Sequence, residues 1–335
     1  MAAHPRISAL PTPQHGASMA TCVGALDPHA SGPPVNVARS AQGGQQYLAL
    51  RSAAQARGRP FDELLTLYAL EGLLGRLSAS PHASKFVLKG GLLLAALDER
   101  RPTRDADLLA QEMSNEAQEI EVLIAQVAGS SRSDGLVFDP TSARSEIIRD
   151  DEAYSGVRIH LTFSLATARI HVSVDVNVGD PVFPDPQAVT LDALLPDSPP
   201  VVLQGYRMVS VLAEKAVTGM QRGVANTRWR DWADMWTLTG KHSFDADELA
   251  KACAIVSEHR MAQLSPLSDL TRAGYPTLAR QKWSQWRRKQ DHNPALPDDF
   301  SLVLKAVSEF IDPALDGHAA GHTWDPHTRL WVTAN

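Results

Sequence analysis

Phe86-Val87-Leu88-Lys89-Gly90-Gly91-Leu92-Leu93-Leu94-Ala95-Ala96-Leu97, with Asp105-Ala106-Asp107-Leu108-Leu109-Ala110 shortly after it, reads as strand, tight turn, helix and second strand. The apolar run before the glycines suits a short buried strand, and the Leu/Ala run after them suits a helix. Unpaired N–H groups at a helix start face outward and favour an anion, so Gly90 and Gly91 are expected to let a phosphate approach the backbone. In an extended segment alternate side chains share a face, so Asp105 and Asp107 project together. Two hard oxygen ligands aimed at one point suit magnesium. Taken singly, Gly-Gly is a common turn and Asp-x-Asp a common solvated loop; the specificity lies in their order.

A further carboxylate comes from a distant stretch. Residues 157–163 and 168–178 alternate β-branched or apolar residues with polar ones around Leu165-Ala166-Thr167, the pattern of a hairpin. In its second strand Val172, Val174, Val176 and Val178 share one face, and His171, Ser173, Asp175 and Asn177 share the other. A mid-strand aspartate opposes strand propensity, and such local conflicts tend to mark sites. The competing reading is an aspartate on the solvent face of a sheet.

Around these strands, residues 61–77 carry Leu64, Leu65, Tyr68, Leu70, Leu73 and Leu74 at helical spacing, with Pro60 suited to the first turn. Residues 115–127 form a second amphipathic pattern. Six prolines within 181–200 deny that segment a long helix or central strand and mark a linker. Beyond it the helical period predominates, over 207–221, 229–238, 245–258, 277–289 and 297–311. The reading is therefore an α/β domain over 39–200 and an α-helical domain over 201–335, preceded by a Pro-, Gly- and Ser-rich leader, 1–38, expected to be disordered.

Two cysteines, Cys22 and Cys253, lie too far apart in sequence to indicate a disulfide framework or thiolate zinc site. No apolar run approaches bilayer-spanning length and no secretory signal pattern opens the chain, so a soluble, cytoplasmic protein without a membrane partner is expected. A net charge of −6 argues against indiscriminate polyanion binding but allows a local basic groove. Arg222, Arg228 and Arg230 form one candidate RNA-binding patch; Lys282-Trp283 and Trp286-Arg287-Arg288-Lys289 form another, in which aromatics could stack on bases. Alternatively Trp283 and Trp286 are a buried stripe and the cations its wet face. Lys215 follows an apolar stretch and is a candidate to grip a triphosphate from the inter-domain cleft, against the plainer reading of a lysine reaching to water. Asp231 and Asp234 are neighbours on one helix face.

Phe86-Val87-Leu88-Lys89-Gly90-Gly91, Thr103-Arg104-Asp105-Ala106-Asp107-Leu108, Val174-Asp175-Val176-Asn177-Val178-Gly179-Asp180, Ala213-Glu214-Lys215-Ala216, then Arg222 and the run from Asn226 to Asp234, resemble the successive blocks of the AbiEii/AbiGii toxin family, which includes the MenT tRNA nucleotidyltransferases. The similarity extends over about residues 61–313. It departs at Asn177, where a hydrophobic or aromatic residue is expected, and at Trp229-Arg230, where Met-Lys is commoner.

The resemblance implies an α+β fold: a polymerase-beta-like nucleotidyltransferase mixed sheet with flanking helices, followed by an α-helical C-terminal domain. It implies that Asp105 and Asp107 hold Mg2+ on a nucleoside triphosphate, and that Asp175 completes a second metal position and helps deprotonate the attacking hydroxyl. Lys215, helped by Lys89 and Arg104, would neutralise the leaving pyrophosphate. Asp231, the family's later acidic residue, would position Lys215, the nucleotide or an arginine; a helix-start aspartate complementing the dipole is the alternative. A tRNA 3′ end as acceptor, CTP as donor, translation arrest as outcome and a separately encoded antitoxin are further implications. Transfer to a protein or small molecule, or RNA binding without catalysis on the same fold, are the alternatives.

Overall fold

The computed structural model describes residues 37–97, 103–149, 155–289 and 296–333. The expected disordered leader thus lies outside the described residues, except for its last two positions. Helices α1 (Gly44–Arg57) and α2 (Phe61–Ser78) lead into β1 (Phe86–Lys89), α3 (Gly90–Ala96) and β2 (Asp105–Ala110). Next come α4 (Ala117–Ala128), β3 (Val137–Phe138), β4 (Arg144–Arg149) and the long hairpin of β5 (Ser155–Leu165) and β6 (Ala168–Val178). Strands β7 (Gln187–Leu191) and β8 (Val201–Gly205) complete a mixed sheet of order β3-β5-β6-β2-β1-β8-β7, with β4 also pairing β5. Pairs β2/β6 and β1/β8 are parallel, and the other pairs are antiparallel.

The hairpin closes with Leu165 opposite Ala168, leaving Ala166 and Thr167 in the turn and Ala166 at φ +51°. That register sends Val172, Val174 and Val176 into the core and leaves Ser173, Asp175 and Asn177 half-buried on the other face. Helix α2 packs against β6 and β8, with Leu64, Tyr68, Leu73 and Leu74 buried. Pro60 precedes this helix rather than sitting in its first turn, where Asp62 and Glu63 complement the dipole. Near its far end the buried Arg76 donates to both carboxylate oxygens of Asp134, at 2.5 and 3.0 Å, so neither charge is left unpaired.

Two readings need correction. The proline-rich segment 181–200 is not simply a linker, because it contains β7. An edge strand tolerates flanking prolines such as Pro186 and Pro196 because one side of its ladder needs no donors. Strand β8 lies past the expected divide near residue 200 yet sits between β1 and β7, so the sheet's chain runs on to Gly205.

The helical part then follows as α5 (Met208–Arg222), α6 (Trp229–Thr239), α7 (Ala246–His259), α8 (Ser268–Arg272), α9 (Tyr275–Arg288) and α10 (Phe300–Leu315), ending in the small hairpin of β9 (His322–Asp325) and β10 (Leu330–Thr333). An aromatic nucleus holds α6, α9 and α10 together: Trp229, Trp232, Tyr275 and Trp283 all surround Phe300, with ring centroids 5.2–5.8 Å away. Trp283 is fully buried, as the stripe reading of α9 expects, whereas Trp286 is only half-buried. Among the described residues no helix is long and apolar enough to cross a membrane.

Candidate active site

The sheet's register does what spacing alone could not. Asp107 on β2 is paired with Lys89 on β1 and with Asp175 on β6, and Asp175 in turn with Arg158 on β5. Residues paired across neighbouring strands share a face, about 5 Å apart. Asp105, two residues from Asp107, lies on that same face. All three aspartates line one cleft of about 600 Å³, which Lys215, Arg222, Arg228, Arg230 and Asp231 from α5, α6 and the turn between them also line. A cleft of that size accommodates a nucleotide.

The Gly-Gly turn also has a local purpose. Gly90 has φ +67°, and a Cβ there would lie 1.8 Å from Asp107 Oδ2. The close approach it permits in this structure is therefore that of the Asp107 carboxylate, which also faces the Gly91 N–H at 3.4 Å. Thr103 fixes its neighbour similarly, its hydroxyl donating to Asp105 Oδ1 at 2.7 Å.

Lys89 lines the cleft and is paired with carboxylates there. Its ammonium is buried and lies 3.3 Å from Asp180 Oδ2 and 3.8 Å from Glu214 Oε1, above the Tyr206 ring. Burial pulls its pKa down, but Glu214, Asp180 and Asp107 outweigh it and raise it. Glu214 also accepts a 3.1 Å hydrogen bond from the Tyr206 hydroxyl, and His259 Nε2 stands 3.5 Å from Asp180 Oδ1. Lys89 thus ties together elements of the cleft that it lines, while Arg104 is exposed and outside the cleft lining.

Lys215 is clamped, 2.5 Å from Asp231 Oδ1 and 2.9 Å from Asp234 Oδ2, while Arg228 holds the other Asp231 oxygen. Burial would raise the Asp231 pKa, but Lys215 and Arg228 overcome it and hold the group at about 2. Asp231 is therefore an anchor for the lysine and not a proton acceptor near neutral pH. A carboxyl depressed on folding stabilises the fold above its ordinary pKa of 3.8 and loses that contribution as pH falls towards 2. The stability gap between the native chain and Asp231→Asn is therefore expected to be on the order of 2 kcal/mol at pH 7 and to close between about pH 4 and 2. Urea unfolding across that range measures it, and a gap unchanged by acid would rule out the anchor.

Of the second basic patch, Arg287 donates to the Leu296 carbonyl at 2.9 Å and pairs with Asp298, while Arg288 is exposed; neither lines the cleft. Trp286, one residue away, does line it.

Arg158, Asp180, Glu214 and Tyr206 were not singled out from the sequence. Arg158 could have been: once Leu165 pairs with Ala168, counting seven residues back along each strand sets Arg158 opposite Asp175. It donates from Nε to Oδ1 at 2.7 Å and from Nη2 to Oδ2 at 2.6 Å. The Asp175 hydrogen bonds more than offset burial in raising the Arg158 pKa.

Hard oxygen donors on one face make Asp105 and Asp107 a fit for a divalent cation. Asp175 fits by position, but both of its oxygens face a guanidinium. Among the described residues no three acidic, histidine or cysteine side chains stand, as oriented here, so as to hold a metal ion.

Comparison with known proteins places this cleft in context. No curated protein matches the chain. A crystal structure of a protein from H. pylori assigned as a nucleotidyltransferase is similar at 15% identity and TM-score 0.46, covering 76% of this chain and 96% of its own. The crystal structure of JHP933 from Helicobacter pylori is similar at 14% identity and TM-score 0.48, covering 77% and 94%. The family described as nucleotidyl transferase AbiEii toxin, type IV TA system, matches residues 72–311, a span holding the Gly-Gly turn, the three cleft aspartates and the Lys215 clamp. The chain belongs to that family and is a nucleotidyltransferase of toxin type.

Proposed function

We propose that this toxin uses magnesium to transfer nucleotides from a nucleoside triphosphate, CTP foremost, to the 3′ end of tRNA in the cytoplasm, and so blocks translation until a separately encoded antitoxin counters it. The observation that carries the reading is the meeting of Asp105, Asp107 and Asp175 on one face of a cleft that Lys215 and three arginines also line.

Asp105 and Asp107 would bind the cation through their shared face, held there by Thr103 and by the space that Gly90 leaves. Magnesium, when bound, would polarise the reacting phosphate and lower the pKa of the attacking hydroxyl. Asp175 would accept the proton from that hydroxyl. Lys215, fixed between Asp231 and Asp234, offers a positioned charge to the departing pyrophosphate, so little reorganisation is needed during reaction. Arg222, Arg228 and Arg230 line the same cleft, where they would neutralise phosphates of the acceptor strand.

Incubation with each α-labelled nucleoside triphosphate, magnesium and total tRNA tests the reading. Label at tRNA 3′ ends, strongest with CTP, is expected. Label on protein would reassign the acceptor, and binding of RNA with no label under any nucleotide would overturn the catalytic reading.

A further inference from the structure

Four side chains lie side by side across the sheet: Asp107 on β2, Asp175 on β6, Arg158 on β5 and Glu146 on β4, each the register partner of the next. Arg158 thus has a carboxylate on either side. It engages Asp175 through both carboxylate oxygens, at 2.7 and 2.6 Å, in the planar fork geometry that makes such pairs strong. Glu146 is mostly exposed, its side chain 66% accessible, and its contact is with His160 Nε2 at 3.2 Å. The Arg158 side chain is one-third exposed, so it has room to turn.

Resting on the metal-dependent reading above, we propose that Arg158 is a resident counter-cation of Asp175, which it surrenders when a divalent cation enters the cleft by passing to Glu146. The pairing has a clear electrostatic logic. Asp105, Asp107 and Asp175 brought together without a cation repel one another, and a guanidinium beside them relieves that repulsion. A divalent ion that reaches Asp175 meets the guanidinium as a like charge on the same two oxygens. The chain supplies a second acceptor one strand further along, so the displaced arginine is not left unpaired. Arg158 is therefore a positioning residue: it acts through Asp175 and sets how tightly the cleft holds metal.

Binding of Mn2+ alone to the full-length protein, followed through the spectrum of the free ion by electron paramagnetic resonance, tests this without reference to turnover. Arg158→Met is expected to bind Mn2+ about tenfold tighter than the native chain, equivalent to about 1.4 kcal/mol, because the competing charge is gone. Arg158→Lys, which keeps a charge but loses the fork, should fall between the two. Glu146→Gln should bind Mn2+ a few-fold more weakly, because the displaced arginine loses its second partner. If Arg158→Met does not fold, the lysine and glutamine variants still decide the question. Native-like Mn2+ affinity in all the folded variants overturns the proposal while leaving the metal-dependent reading intact. Absence of Mn2+ binding by the native chain and every variant overturns both.

Discussion

Replacing Asp107 with asparagine is expected to reduce nucleotide transfer by at least about a thousandfold, a loss of about 4 kcal/mol of transition-state stabilisation, while the fold survives. Asp107 stands between Asp175 and Lys89 in the sheet register, at the centre of the acidic face. Asparagine preserves its shape and its contact with the turn but removes the charge that would hold a cation. Lys89 keeps Glu214 and Asp180 as partners, so the buried ammonium is not abandoned. Asp105→Asn should behave alike, because its partner Thr103 can still donate to an amide oxygen. Single-turnover transfer at saturating nucleotide, set beside the denaturation midpoint, separates chemistry from folding. Activity within tenfold of native for both variants would sink the assignment.

Gly90→Ala is expected to damage both fold and activity. The backbone at φ +67° disfavours any L side chain, at about 1–2 kcal/mol, and the added carbon would sit 1.8 Å from the Asp107 carboxylate. Relief requires moving either the turn or the aspartate, adding about 1–3 kcal/mol of packing strain and misplacing the candidate metal ligand. A drop in unfolding free energy of about 2–5 kcal/mol together with near-complete loss of transfer is therefore expected. A double-mutant cycle with Asp107→Gly isolates the clash, since deleting the carboxylate should recover the packing part of the stability loss but none of the activity. Full additivity of the two substitutions would show that they do not meet.

The features readable in the sequence were those carried by a local period. The strand, Gly-Gly turn and helix of residues 86–97, the alternation in β2 and β6, and most helix faces needed only neighbours within a few positions. Strands β3, β4, β7 and β8 were missed: β3 is only two residues long, and prolines near β7 mimic a linker while serving an edge. The parallel pairing of Asp107 with Asp175 brings together two distant stretches, and no local pattern announces such a register. Lys89 shows the converse. A lysine at the end of an apolar strand beside glycines reads naturally as a phosphate ligand, and its acidic partners Asp180 and Glu214 lie far along the chain. Lys215 reaches the same cleft, because its helix turns the polar edge of an otherwise buried stretch towards it.

The buried Lys89 ammonium also bears on how the cleft works mechanically. It joins the end of β1 to Asp180, two residues past β6, and to the middle of α5, while His259 at the end of α7 reaches the same carboxylate. Sheet and helices are pinned by an ionic rivet within the lining of the cleft where substrates would lie. The two walls should therefore behave as a fixed jaw, filled by sliding substrates into a slot already cut to shape, without a hinge to swing shut.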